Sequence, residues 1–177
     1  MKSTKIKNVC ATAVFTAAIA ALSPFPIPTP LGVPITPQTA VIAVTAFLLG
    51  AEYGTAAVVC YVLLGAAGLP VFSGFTGGAG VLLGPTGGFI FAFPLFALVL
   101  SLVLYVNKAA AKILLCLAAL ILLYGAGATQ FTIVTGNAPA VALSAFIPYF
   151  IKDAVMVAAA YFLCVRIRPA IGRFIHS

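Results

Sequence analysis

The chain has 177 residues, of which 64% are apolar and 6% charged, and its mean hydropathy is +1.26. Soluble domains are about half apolar and about a quarter charged, so this composition excludes a water-soluble globule. At about 20 apolar residues per crossing, the length allows roughly six membrane spans and leaves nothing for a separate soluble catalytic domain. We therefore predict a single transmembrane domain over residues 1–177.

The apolar runs predict an all-α integral membrane protein with six transmembrane helices. They show no alternation of polar and apolar residues, and backbone groups in lipid must be hydrogen-bonded within the segment, so helices are favoured over barrel strands. Glu52 is placed at a turn, because a charge at the bilayer centre costs about 2.5 to 3.5 kcal/mol. Pro148 predicts a kink in the last helix. The predicted helices span about residues 9–22, 38–50, 54–68, 88–106, 110–126 or a little beyond, and 139–165.

The first apolar run permits two interpretations. Lysines precede it and an A-x-A pattern lies at residues 18–20, as in a secretory signal peptide. However, Ala13, Ala17 and Ala21 recur every four residues, which gives one helix face small enough for another helix to approach closely. This spacing favours a retained helix that packs against a partner.

Two unusual loops follow the first and third helices. Six of the twelve prolines lie between residues 23 and 37 and prevent a helix there. Residues 68–88 contain eight glycines, which predicts a loop at the outer surface that folds over a ligand or packs re-entrantly. The chain lacks the G-x-x-x-x-G-K-[ST] sequence, so we expect no P-loop ATP hydrolysis.

The basic residues predict the orientation. The net charge is +7, which in a soluble protein would suggest a nucleic-acid partner. Here the cations flank the apolar spans, as orientation signals on the cytoplasmic side do, so we expect a membrane-lipid environment and no nucleic acid. If both termini are cytoplasmic, the inner segments hold eight of the nine basic residues and the outer loops hold none.

Lys152 and Asp153 lie within the sixth predicted helix, where charges are rare and usually functional. Neighbours on a helix point about 100° apart, so we expect each to have its own partner. We expect both to face a cavity open to the outside, where Asp153 accepts hydrogen bonds from ligand N–H groups and Lys152 attracts an anionic group. Gln38 and Thr39 would add polar contacts, and Tyr149 a flat wall.

The sequence offers little for catalysis. The only histidine, His176, lies in the terminal tail, far from the only intramembrane carboxylate. No hydrolytic triad or metal-ligand set can be assembled. We therefore expect neither an enzyme nor a metal or cofactor site.

Several segments together resemble the BioY family, the biotin-binding S components of energy-coupling factor (ECF) transporters. The resemblance covers about residues 35–165, and its most specific part is the L-P-V-F block followed by G-P-T-G-G. The matching positions are Pro34-Ile-Thr-Pro-Gln-Thr39, Leu49-Gly50, Tyr61, Gly65, Gly68-Leu-Pro-Val-Phe-Ser-Gly-Phe75, Gly77-Gly78, Leu83-Gly-Pro-Thr-Gly-Gly88, Pro148 and Asp153.

This resemblance implies high-affinity capture and uptake of biotin at the plasma membrane of a prokaryotic cell. It also implies partners: a transmembrane coupling (T) component, which would dock on Ala13, Ala17 and Ala21, and two cytoplasmic ATPases. The alternative is a stand-alone secondary transporter or channel for a small organic anion. The substrate-binding residues that we predict are Asp153, Lys152, Gln38, Thr39, Phe75, Gly77, Gly78, Phe89 and Tyr149.

The chain departs from the family pattern at two of the relevant positions. Family members often carry Tyr where this chain has Phe89 after the G-P-T-G-G block. They also tend to have Lys three residues after the helix-six Asp, where this chain has Met156. Lys152 lies about one turn before that position and would have to reach the carboxylate from there.

Overall fold

The structure, a computed structural model, describes residues 2–26 and 36–176. These residues form α1 (Lys2–Leu22), α2 (Gln38–Ala66), a short α3 (Ala79–Leu82), α4 (Gly87–Ser101) with a 3-10 turn at Leu102–Tyr105, α5 (Ala109–Thr135) and α6 (Pro139–His176). Most of the proline-rich loop, at residues 27–35, lies outside the described residues.

Helix α2 is a hairpin of two arms, residues 38–49 and 51–66. At Gly50 the backbone leaves helical geometry with φ +77° and ψ −169°, a region that glycine enters without a steric penalty. Gln38 Nε2 lies 2.7 Å from the Tyr61 hydroxyl, whereas one continuous helix would separate these residues by roughly 34 Å. The predicted division into two helices is confirmed, and Glu52 lies exposed beside the turn.

The helices pack as a bundle around α2 and α4. Helix α4 packs against both α2 and α5, α1 packs on α2, and α6 packs against α2 and α5. Phe47, Tyr61, Phe96 and Leu100 are fully buried between them. Large apolar side chains cover the outside of the bundle, such as Ile133 with 76% of its surface exposed, which suits contact with lipid.

Among the described residues, four helices are long and apolar enough to cross a membrane. They are Lys5–Leu22, Gln38–Ala66, Gly87–Tyr105 and Ala109–Thr135. When the two arms of α2 are counted separately and α6 is added, the described residues form the six long helical segments that the sequence predicts. The all-α transmembrane fold is therefore confirmed, and the cytoplasmic placement of the termini stays a prediction.

Three helix ends extend well beyond the predicted ones, and the first is the start of α1, which lies at Lys2 rather than residue 9. Helix α5 continues to Thr135 and ends at Gly136, whose φ of +70° terminates the helix in the left-handed region. Helix α6 continues beyond residue 165 and includes Pro148 and Pro169. Apolar patterning ends where polar residues begin, whereas the backbone hydrogen bonds of a helix continue past that point.

Candidate functional site

A cavity of about 340 Å³ lies at the end of the bundle opposite the chain termini. Ligand sites for small molecules begin at about 300 Å³, so the cavity suits a molecule of vitamin size. The first arm of α2, the glycine-rich loop, α4, α5 and α6 all contribute to it. Its lining comprises Thr36, Gln38, Thr39, Phe72, Ser73, Thr76, Val81, Pro85, Thr86, Phe89, Ile90, Phe93, Leu123, Tyr124, Phe146, Tyr149, Lys152 and Asp153.

Asp153 provides the carboxylate of this cavity and is only 5% exposed. Its Oδ2 accepts hydrogen bonds from Thr39 Oγ1 at 3.0 Å and from the Tyr124 hydroxyl at 2.7 Å. The two donors come from α2 and α5, so the carboxylate of α6 connects three helices. Hydrogen bonds to a charged group are about twice as strong as those between neutral groups, which holds Asp153 in one orientation.

Lys152 pairs with its sequence neighbour, contrary to our expectation. Its Nζ lies 2.5 Å from Asp153 Oδ1 and also donates a hydrogen bond to the Thr36 carbonyl oxygen at 3.2 Å. The prediction of separate partners was wrong because the angle between neighbours constrains only where each side chain begins, and the long, flexible Lys stem folds back. Oδ1 is buried without a well-aligned hydrogen bond, so it can still accept one from a ligand.

Gln38 links the cavity to the loop beside it. Its Nε2 donates to the Tyr61 hydroxyl at 2.7 Å, and Tyr61 in turn donates to the Val71 carbonyl oxygen at 3.3 Å. Its Oε1 accepts from Thr36 Oγ1 at 3.1 Å. Both ends of the Gln38 amide are therefore engaged within the protein, which fixes this side of the cavity.

Aromatic rings form the apolar wall, and both Phe89 and Tyr149 belong to it. The Phe89 ring meets those of Tyr124 and Phe146 edge-on, with centroids 5.5 and 5.4 Å apart. A Cβ at Gly127 would overlap the Phe89 ring, so only glycine at that position lets the ring lie against α5. Such a wall matches a flat apolar ligand.

Three predicted site residues do not line the cavity. Phe75 is 58% exposed and packs edge-on against Phe25, with ring centroids 5.2 Å apart. A Cβ at Gly77 would overlap the Leu69 carbonyl group, and Gly78 donates its N–H to the Gly65 carbonyl oxygen at 2.7 Å. The two glycines therefore allow the loop to fold tightly, while other loop residues reach the cavity.

Two functional candidates on α5 were absent from the predicted site. Tyr124 holds Asp153, and its sequence signal was a hydroxyl within an apolar run, which needs a partner when buried. Gln130 Nε2 donates to the carbonyl oxygens of Leu82 and Gly84 at 2.6 and 2.8 Å, which ties the glycine-rich segment to α5. Neither partnership is visible locally, because the partners lie 29 to 48 residues away.

The small-residue face of α1 is directed away from the bundle. Ala13, Ala17 and Ala21 are all exposed. The opposite face holds α1 on α2, where Thr16 Oγ1 donates to the Ala57 carbonyl oxygen at 3.0 Å and Ile19 is fully buried. An exposed face of small residues lets another helix approach closely.

The sequence profile of the BioY family matches residues 1–173. This chain belongs to the BioY family. A solved structure with the same fold as this BioY chain is a crystal structure at 2.1 Å, described as the S-component for biotin from an ECF-type ABC transporter. It superimposes with a TM-score of 0.83 at 26% identity, over 96% of this chain and 94% of that one.

The curated relatives of this BioY chain carry transporter names. A probable biotin transporter BioY of Pyrococcus horikoshii is 32% identical over 77% of this chain and 81% of its own length. The biotin transporter BioY of Thermotoga maritima is 58% identical over 41% of this chain, and the match spans 44% of that protein. Biotin transporter BioY2 of Lactococcus lactis is 43% identical over 57% of this chain and 55% of its own length.

Proposed function

We propose that the chain captures biotin and serves its uptake as the substrate-binding S component of an ECF-type transporter. The observation that carries this proposal is the pair of a partly buried Lys152 and a buried Asp153 at an aromatic-walled cavity of about 340 Å³. The biotin names of the relatives and of the structural neighbour support it. Because those relatives are transporters, chemical conversion of the ligand is not part of the proposal.

The ureido group of biotin complements the paired charges. It carries two N–H donors and a carbonyl acceptor side by side, and the cavity presents a carboxylate oxygen 2.5 Å from an ammonium nitrogen. One N–H would donate to Asp153 Oδ1 and the ureido oxygen would accept from Lys152. A buried polar pair of this kind rejects apolar molecules that leave it unpaired, which gives selectivity.

This geometry changes the role expected for Lys152. The ureido ring and the valerate carboxylate lie at opposite ends of biotin, separated by a bicycle and an aliphatic chain. An ammonium in contact with Asp153 cannot hold the carboxylate end while Asp153 holds the ring. We therefore place Lys152 with Asp153 at the ureido ring, with Phe89 and Tyr149 along the apolar part of the ligand. Thr39 and Gln38 would orient the polar groups.

The first test is binding of labelled biotin to the purified chain. We expect Asp153→Asn to weaken binding at least tenfold, about 1.4 kcal/mol, because the amide loses the negative charge that both the ureido N–H and Lys152 require. Glu52→Gln is the matched control, since it removes the other acid at an exposed turn. Equal affinity of the wild-type and Asp153→Asn proteins would exclude Asp153 from the site.

A second test distinguishes the two roles of Lys152. Lys152→Met is compared with the wild type for biotin and for biotin amide, in which a carboxamide replaces the carboxylate. Contact with the ureido oxygen predicts the same fold-loss for both ligands. A loss confined to biotin would instead place Lys152 at the valerate end and contradict our assignment.

We further propose that a T component docks on Ala13, Ala17 and Ala21, and that two cytoplasmic ATPases supply the energy. The exposed small-residue face of α1 supports the docking site. Reconstitution into liposomes tests the division of labour. We expect biotin accumulation only when the coupling protein and the ATPases are present, whereas accumulation by the chain alone would favour the secondary-transporter alternative.

A further inference from the structure

A second cavity, of about 440 Å³, lies at the end of the bundle that holds the termini. It is lined by two cations, Lys112 and Arg168, by the phenol of Tyr161, and by apolar side chains that include Phe47, Val103 and Val165. None of these residues belongs to the cavity around Asp153. This inner cavity is therefore separate from the proposed biotin site.

Among the described residues, the cations of the inner cavity have no carboxylate partner. Over the side chains described at residues 5–26 and 36–169, no carboxylate lies within 4 Å of Lys112 or Arg168. The chain has only two acids, Glu52 and Asp153, and Asp153 is paired with Lys152 at the other cavity. Two convergent cations without a carboxylate attract an external anion.

Tyr161 holds one of the cations in place. Lys112 Nζ donates to the Tyr161 hydroxyl at 2.9 Å, and the Tyr161 ring packs edge-on against Phe47 with centroids 5.6 Å apart. A lysine that served only as an orientation signal would extend into water. Here α5 and α6 position the ammonium in the cavity, beside an arginine whose donor geometry suits phosphate oxygens.

The surroundings of the cavity identify the source of the anion. Val165 is 52% exposed and Leu114, two residues after Lys112, is 68% exposed, so the cavity wall continues into the apolar outer surface of the bundle. A ligand that fits such a site carries a phosphate beside acyl chains. Basic pockets between transmembrane helices on the cytoplasmic side bind phospholipid head groups in this way.

We propose that Lys112 and Arg168 form a binding site for the phosphate of an anionic phospholipid of the inner leaflet. This proposal does not depend on which ligand binds in the Asp153 cavity. The lipid would neutralise two charges that have no carboxylate partner among the described residues, and it would bridge α5 and α6. Binding would therefore stabilise the contact between these helices.

The absence of tryptophan from the chain allows a clean measurement. Phe162→Trp introduces a single fluorophore at a position that is 68% exposed next to Tyr161, and it serves as the reporter background. Phospholipids with brominated acyl chains quench this tryptophan when they bind beside it. We expect phosphatidylglycerol to bind the full chain at least about fivefold more tightly than phosphatidylcholine, from the attraction of each cation for an anionic head group.

Charge-matched variants test whether these two cations form the site. We expect Lys112→Gln/Arg168→Gln to reduce the lipid preference to within about twofold, and Lys112→Arg/Arg168→Lys to retain it. Lys108→Gln/Arg166→Gln removes the same charge from exposed residues that do not line the cavity and should leave the preference unchanged. Circular dichroism melting confirms that each variant folds.

Three results would overturn the proposal. If Lys112→Gln/Arg168→Gln and Lys108→Gln/Arg166→Gln lose the phosphatidylglycerol preference equally, the lipid is attracted by all the basic residues at this end and not by one site. The lack of any phosphatidylglycerol preference in the reporter protein would show that no site exists. Competition by inorganic phosphate that abolishes the preference at constant ionic strength would assign the site to a soluble anion.

Discussion

Charged side chains are compensated differently at the two ends of the helical bundle. At the end opposite the termini, Asp153 is buried and its partner Lys152 is partly buried, and Thr36, Thr39 and Tyr124 hydrogen-bond to these two side chains. At the end that holds the termini, no carboxylate among the described side chains lies within 4 Å of Lys112 or Arg168, and their cavity continues into the apolar outer surface of the bundle. Enclosed charges must be paired, because burial removes them from water, whereas charges near the membrane boundary can be compensated from outside.

The difference extends to the backbone. Around the Asp153 cavity, glycines permit close helix contacts that any side chain would prevent. One example is Gly88, where a Cβ would overlap the Ala126 carbonyl group of α5. The Lys112–Arg168 cavity is instead lined by the side chains of Phe47, Tyr161 and Val165. Backbone contacts cannot relax as side chains do. We therefore expect the end with the Asp153 cavity to be rigid and its stability to be sensitive to single substitutions.

Among the substitutions that test this difference between the two ends, we expect Gly88→Ala to have the largest effect. We expect Gly88→Ala to reduce the stability of the fold by about 3 kcal/mol, because the new methyl group meets the backbone of α5 and must separate the two helices. Gly80→Ala is the matched control, since a Cβ there meets nothing within 4 Å. The midpoint of thermal unfolding in detergent measures both. Equal midpoints would show that α4 and α5 have room to adjust.

A smaller effect is expected at Tyr124. Tyr124→Phe removes one of the two hydroxyl donors to Asp153 Oδ2 while it keeps the ring. Because a hydrogen bond to a charged group is lost, we expect the binding free energy of biotin to fall by about 1.5 kcal/mol, which is roughly tenfold weaker binding. Tyr105→Phe, at a residue that is 70% exposed and outside the cavity, should leave binding unchanged. If Tyr124→Phe binds biotin as the wild type does, Asp153 does not need this donor.

The smallest effect tests whether the two ends are independent. We expect Lys112→Gln/Arg168→Gln to change biotin affinity by less than about 0.5 kcal/mol, because distant sites with no shared partners contribute additively. The measurement is the same equilibrium binding with labelled biotin, in detergent that lacks anionic lipid. A larger change would show that the Lys112–Arg168 cavity and the Asp153 cavity are coupled.

Local patterns predicted the helices better than they predicted the site. The two arms of α2, the exposed position of Glu52 and the burial of Asp153 follow from apolar runs and from the energy of placing charge in lipid. The pairing of Lys152 with Asp153 did not follow, because helix geometry specifies the direction of Cβ and not the path of a long side chain. Phe75 lies outside the cavity because Phe25, from another part of the chain, packs against it.

The amino-acid sequence was enough to predict that the chain resides in a membrane, how many long helical segments it forms, and which acidic residue is buried. These are properties of composition and short-range periodicity, since lipid excludes unpaired backbone groups and isolated charges. The packing of the helices brings Tyr124 and Thr39 to Asp153, attaches the glycine-rich segment to Gln130, and places Lys112 and Arg168 at one cavity. Those contacts join residues on different helices, and their distances depend on how the helices pack.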